Sequence, residues 1–93
     1  MKSILSEEKR CYICGLNNVE SHHIFFGNAN RKISDKYGFT CYLCIEHHRG
    51  TYGVHGKEGH YLDKELKRKC EKKYIEQGHT IEDFIKLIGR SYL

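Results

Sequence analysis

Cys11-Tyr12-Ile13-Cys14-Gly15 and Cys41-Tyr42-Leu43-Cys44-Ile45-Glu46-His47-His48 carry the residue types that grip a metal ion. Two residues between thiolates, with a glycine following, form a tight turn that aims both sulfurs at one ion. One such knuckle supplies half of a tetrahedron. The other half comes either from Cys41 with Cys44, an all-cysteine site, or from Cys44 with His47, a site of three cysteines and one histidine. A strand sends Cys41 and Cys44 to opposite faces, whereas Cys44-x-x-His47 can curl where a strand runs into a helical turn. The favoured structural zinc ligands are therefore Cys11, Cys14, Cys44 and His47, with Cys41 as the alternative fourth.

The doublet His22-His23 is a different kind of feature, set about midway between the two zinc half-sites. If the knuckles close on one ion, the segment carrying the doublet lies beside the one ending at Cys44, and His48 can approach His22. His22 and His48 then hold a second metal with open coordination positions, the mark of a catalytic rather than a structural ion. His23 is left as an unligated imidazole beside that metal, suited to take a proton from water near neutral pH. Neighbours on a regular strand point to opposite faces, so both histidines reach one site only if the strand bends or bulges there.

The elements that must position these residues are punctuated by glycine and asparagine. Residues 19–26 read as a strand entered from Asn17-Asn18 and ended by Gly27, and residues 39–45 as a second strand rich in Phe, Thr, Tyr and Leu. Between them, 28–38 reads as a polar loop with at most a helical turn at 34–37. Residues 47–60 hold four Gly and four His, an irregular loop wrapped around something. A helix follows over 61–77, where Leu62, Leu66, Cys70 and Tyr74 recur every four residues and place Cys70 in the core. Its lysines and arginines interleave with Asp63, Glu65 and Glu71, which reads as a solvated face. Gly78 fits the position just past its end, and Thr80 caps a last helix over 80–88 that stops at Gly89. His60 and His79 read as surface or capping residues.

The chain has 93 residues, five Cys, seven His, no Pro and no Trp. That length holds one domain with a small core, for which a metallic or covalent staple compensates. The longest apolar run, Cys41 to Ile45, is far short of a membrane span, and the N-terminus lacks a signal-peptide core. An intracellular protein is expected, and there an odd number of thiols argues for metal rather than disulfides. A formal charge of +4 permits a polyanionic partner without requiring one.

Cys11-x-x-Cys14, His22-His23-Ile24 and Leu43-Cys44-x-x-His47-His48 together resemble the zinc-stapled HNH endonucleases, whose ββα-metal core reads Cys-x-x-Cys, Asp-His or His-His, then Leu-Cys-x-x-Cys-His. Gly53-Val54-His55, His22-His23-Ile24-Phe25 and Asn30-Arg31-Lys32 are similar, more particularly, to the small phage proteins related to the RecA-dependent recombination-enhancement nuclease. The match covers residues 11–55. His47 stands where the family has a final Cys, and the family's middle Asn is absent, Phe39 and Thr40 occupying that region. Asn28, Asn30 or Asp35 is left to order the intervening loop.

The resemblance implies an α+β fold, a zinc-stabilised ββα-metal core with two C-terminal helices in one domain over 1–93. It implies a metal-dependent DNA endonuclease or nickase with His23 as general base, His22 and His48 on the catalytic metal, and the Cys11, Cys14, Cys44, His47 set on structural Zn²⁺. His55 is a third ligand of the catalytic metal, a phosphate contact, or a ligand of a further zinc. With His22 in place of the family's frequent Asp, Mn²⁺, Ni²⁺ or Zn²⁺ suits the catalytic site as well as Mg²⁺. Arg31, Lys32 and Arg49 are the basic residues placed to contact DNA phosphates. The expected setting is phage DNA recombination, processing or packaging in the host cytoplasm, beside a recombinase filament or packaging protein. The rival expectation is a noncatalytic, zinc-stabilised nucleic-acid-binding module.

Overall fold

Val19 to His23 pairs antiparallel and one-to-one with Cys44 to Thr40, forming a two-stranded ribbon. In the computed structural model, which describes residues 3–93, these strands are β1 (Val19–His23) and β2 (Thr40–Cys44). Four helices complete an α+β domain: α1 (Asn28–Tyr37), α2 (Ile45–Arg49), α3 (His60–Glu76) and α4 (Ile81–Ile88). Opposed residues share a face, so the register sorts the chemistry. Glu20, His22, Cys41 and Leu43 face one way, while Ser21, His23, Tyr42 and Cys44 face the other.

The first face is the core face. Cys41 and Leu43 join Leu66 and Cys70 of α3 in one buried cluster with Phe25, Phe39, Tyr74 and Phe84. The rings of Phe25, Phe39 and Phe84 meet at centroid separations of 5.5–6.1 Å. Burial of each such ring contributes about 1.5–3 kcal/mol. The outer edge of β2 is covered by the N-terminal segment: Tyr42 N–H donates to Ser6 Oγ at 3.1 Å, and Tyr12 N–H donates to Tyr42 O at 2.8 Å. Besides β2, the elements packed against β1 are α1 and α2.

The strand expected over 19–26 ends at His23; Ile24 N–H still donates to Phe39 O at 2.9 Å, and beyond it Phe25, bonded instead to Ser34 Oγ, is buried in the core. The polar loop expected over 28–38 is the helix α1. It packs through a narrow face, with Ser34 fully buried and Ile33 and Tyr37 half-buried, so a wide apolar stripe never shows in the sequence. Ser34 Oγ–H donates to Phe25 O at 2.7 Å and accepts from Phe25 N–H at 3.3 Å, pinning α1 to the end of β1. Gly38, left-handed at φ 71°, ends the helix.

Residues 47–60 begin inside α2 and continue as stacked turns. Gly53 N–H donates to Gly50 O, Gly56 to Gly53 and Gly59 to Gly56, at 2.9, 2.8 and 3.2 Å. A Cβ at Gly53 would lie 2.6 Å from Glu46 O, and one at Gly56 would collide with Gly50 O. The period-three glycines therefore mark backbone packed on backbone. The two remaining helices span His60–Glu76 and Ile81–Ile88, the latter opened by a capping box in which Asp83 N–H donates to Thr80 Oγ1 at 3.1 Å. Among the described residues no helix is long and apolar enough to cross a membrane.

Candidate functional site

β2 hands directly into α2, and that junction places two groups of ligands. Cys44 is the N-cap residue of α2 and His47 lies within its first turn, so Cys44 Sγ and His47 Nδ1 sit 3.2 Å apart. The knuckle brings its own sulfurs to them: Cys11 Sγ lies 3.6 Å from His47 Nδ1, and Cys14 Sγ lies 3.7 Å from Cys44 Sγ. A tetrahedral zinc with bonds of about 2.0–2.3 Å requires donor atoms about 3.3–3.8 Å apart; the separations of 3.6 and 3.7 Å fall in that window and the 3.2 Å one lies just below it. The Cys11, Cys14, Cys44, His47 group, with Cys11 and Cys44 buried, His47 half-buried and Cys14 exposed, can hold a metal such as zinc. Gly15 at φ 79° closes the knuckle, its N–H donating to Cys11 O at 2.9 Å. Burial alone would raise the Cys11 thiol, but backbone hydrogen bonds from Cys44, Cys14 and Ile13 outweigh it and lower the thiol to about 6. The thiolate is the ligand form, and it is favoured before any metal arrives.

Cys41 is outside this group. It lies on the core face of β2, is 1% exposed, and burial pushes its thiol up to about 12. The all-cysteine alternative therefore lacks its fourth ligand, because the strand alternation that buries Cys41 turns Cys44 the other way. All five cysteines are free thiols.

One residue further along α2, a rotation of about 100°, His48 points toward β1 and forms a second group with His22 and His55. The three ring centroids are 4.9, 5.1 and 5.2 Å apart, a near-equilateral triangle. His55 arrives from the stacked turns, where its N–H donates to His48 O at 3.0 Å and Val54 N–H donates to His47 O at 2.9 Å. His22 is 2% exposed, and its Nε2 is buried without a hydrogen-bond partner among the described residues. Burial, then repulsion from His48 and His55, lowers His22 to about 3. Burial thus favours the neutral ring and leaves Nε2 a buried polar atom without a protein partner, the kind of atom a divalent ion would satisfy. His55 is lowered by burial and by His48.

The triangle opens into a cleft of about 370 Å³ lined by Ser21, His22, His23, Phe26, Arg31, His48 and His55, among others. No bulge is needed to bring His22 and His23 to it. β1 stays in register, and the cleft wraps around its outer edge where the strand ends, so residues from both faces reach one space. His23 Nε2 lies 2.6 Å from Asp35 Oδ1. Arg31, four residues before Asp35 on α1, lines the cleft itself, whereas Asp35 reaches His23 from outside the lining.

No protein-family model, curated protein or solved structure matches this chain. The site is read from its own geometry.

Of the basic residues expected to meet DNA, Arg31 lines the cleft. Lys32 is exposed on α1 but is not among the lining residues. Arg49 is engaged by Glu20, donating from Nε to Oε1 at 3.1 Å and from Nη2 to Oε2 at 2.9 Å. Glu20 also accepts from His48 Nδ1 at 2.8 Å, and these two partners hold its carboxyl below the usual range. Glu20 carries no motif of its own, and the one signal in the sequence is its spacing of two from His22 on a strand, which puts both on one face. Lys67, expected on the solvated face of the helix, is instead turned inward: its side chain is 15% exposed, donates to Asp63 Oδ2 at 2.9 Å and stands 4.6 Å over the Phe26 ring. Cys70 is buried in the core, and His79 stacks on Tyr74 at 3.9 Å.

Proposed function

We propose that this chain is a zinc-stabilised ββα-metal nuclease of HNH type, cutting or nicking DNA by phosphodiester hydrolysis. The observation that carries the reading is one cleft holding both an imidazole triangle able to take a divalent ion and a separate histidine braced by a carboxylate. A structural metal gives that triangle no use for His23 and Asp35. A simple binding module needs neither.

Asp35 is an acceptor only, so His23 carries its proton on Nε2 and keeps a lone pair on Nδ1. Nδ1 is the atom that removes a proton from water as its oxygen bonds to phosphorus and the bond to the 3′-oxygen breaks. Arg31 offers a planar fork to a nonbridging phosphate oxygen. His22, His48 and His55 would hold the catalytic divalent ion, Mg²⁺, Mn²⁺, Ni²⁺ or Zn²⁺, which when bound neutralises charge on the phosphate and the leaving oxygen. Cys11, Cys14, Cys44 and His47 would hold structural Zn²⁺, fixing α2 against the knuckle and so setting where His48 points. DNA is the partner in this reading, met in the host cytoplasm during phage recombination, processing or packaging, with a recombinase filament or packaging protein to deliver it.

The test is plasmid nicking by the zinc-loaded protein across Mg²⁺, Mn²⁺, Ni²⁺ and Zn²⁺, beside a His23→Ala variant with unchanged zinc content. Nicking by the wild type that His23→Ala removes is the expected result. Equal cutting by the two proteins, or no cutting with any metal, sinks the nuclease reading in favour of a noncatalytic nucleic-acid-binding module.

A further inference from the structure

Glu20 belongs to neither group of ligands, yet it is tied to the site by three hydrogen bonds. Its Oε1 accepts from His48 Nδ1 at 2.8 Å and from Arg49 Nε at 3.1 Å, and its Oε2 accepts from Arg49 Nη2 at 2.9 Å. Both ends of this arrangement are set by regular backbone. Glu20 shares a strand face with His22, while His48 and Arg49 are consecutive on α2. The fork uses both carboxylate oxygens, so Glu20 cannot rotate without breaking two bonds to Arg49.

The consequence falls on His48. A carboxylate accepts and never donates, so a neutral His48 bonded to it carries hydrogen on Nδ1 and its lone pair on Nε2. With Nδ1 pinned toward Glu20, the ring has one nitrogen left to offer the triangle, beside the unpartnered Nε2 of His22. Resting on the reading of that triangle as a metal site, we propose that Glu20 is a positioning residue that fixes the tautomer and direction of His48 for the metal. Arg49 locks Glu20 in that pose and is not a phosphate clamp. Carboxylates behind metal-bound imidazoles act in this way, and losing one weakens metal affinity by about 10–100-fold.

The test uses the full chain carrying its zinc and takes Ni²⁺ as probe. Ni²⁺ is titrated calorimetrically into the wild type, Glu20→Ala, Glu20→Gln and Arg49→Ala, with zinc content measured for each. Wild type is expected to bind one Ni²⁺ beyond its zinc. Glu20→Ala is expected to bind it about 10–100-fold more weakly with zinc retained. Glu20→Gln, whose amide oxygen still accepts from Nδ1–H, should recover part of the loss, and Arg49→Ala should lose less than Glu20→Ala. Nitrogen-15 NMR of the imidazoles reads the same proposal without added metal: His48 is expected as the Nδ1–H tautomer in the wild type and as a mixture in Glu20→Ala. Unchanged Ni²⁺ affinity in Glu20→Ala, or an Nε2–H tautomer of His48 in the wild type, overturns the positioning role while leaving the metal site standing. Absence of any Ni²⁺ bound beyond zinc by the wild type overturns the metal site, and the role of Glu20 falls with it.

Discussion

His23 Nε2 and Asp35 Oδ1 are 2.6 Å apart, one at the end of a strand and the other on a helix twelve residues further along the chain. This bond joins the proposed base to a carboxylate placed to orient it, as an acid residue orients the catalytic imidazole of a serine hydrolase. Asp35 and the cleft-lining Arg31 both lie on α1, so that one helix supplies the partner of His23 and a basic residue of the cleft.

His23→Ala is therefore expected to slow plasmid nicking by about 10²–10⁴-fold, the usual worth of a general base. Asp35→Ala, which leaves His23 in place but unheld, should slow it by a smaller factor. Single-turnover nicking at saturating metal measures both, with zinc content as the control. A rate for Asp35→Ala equal to wild type removes the orienting role.

The zinc ligands separate cleanly by substitution. His47→Ala is expected to lose zinc or bind it far more weakly, whereas Cys41→Ser should keep full zinc content, because Cys41 lies on the core face. Chelating zinc from the wild type should lower its melting temperature sharply, as the ion replaces core that a chain of this length lacks. Metal analysis after gel filtration and thermal melts check these outcomes. Zinc loss in Cys41→Ser would favour the all-cysteine set.

Burial pushes Cys41 up to about 12 and raises Cys70 as well, against an ordinary thiol value of 9.0. The unfolded chain then releases these protons at lower pH than the folded one. Below pH 9 nothing is lost; between pH 9 and about 12 stability falls with rising pH, by up to about 1.4 kcal/mol per unit for each thiol. Urea unfolding at pH 8 and pH 10.5 measures the fall, which Cys41→Ala should reduce. In the native protein at pH 8, both thiols should resist alkylation until the chain unfolds.

Gly56→Ala is expected to disrupt the cleft, since its Cβ would run into the carbonyl of Gly50. The turns that carry His55 back over His48 must then open. Loss of second-metal binding with structural zinc retained is the signature, read by Ni²⁺ titration beside zinc analysis. Gly78→Ala, at φ 104° but with no atom near its Cβ, should leave the metal site intact and cost only stability.

Much of the site was legible in the residues themselves. Thiols and imidazoles at short spacing declare a metal-binding habit, because the turn that joins them is local and the spacing sets it. The choice of His47 over Cys41 also followed from the sequence, since alternation along a strand is a property of the backbone alone. The long helix and the capped last helix were written in their apolar spacing and in Thr80.

What tertiary structure alone decided is how distant residues share space. Residues 28–38 gave no apolar stripe, because α1 packs through a narrow face, so neither the bond of Asp35 to His23 nor the place of Arg31 in the cleft could be seen. His22 and His23 reach one cleft without a bulge because the cleft follows the edge of β1, a fact of how α1 and the glycine turns flank the ribbon. Arg49, on α2, looked free in the sequence and is held by Glu20 of β1. Local spacing fixes which residues can bind a metal; long-range packing fixes which of them are turned toward it and which charges are already spent on one another.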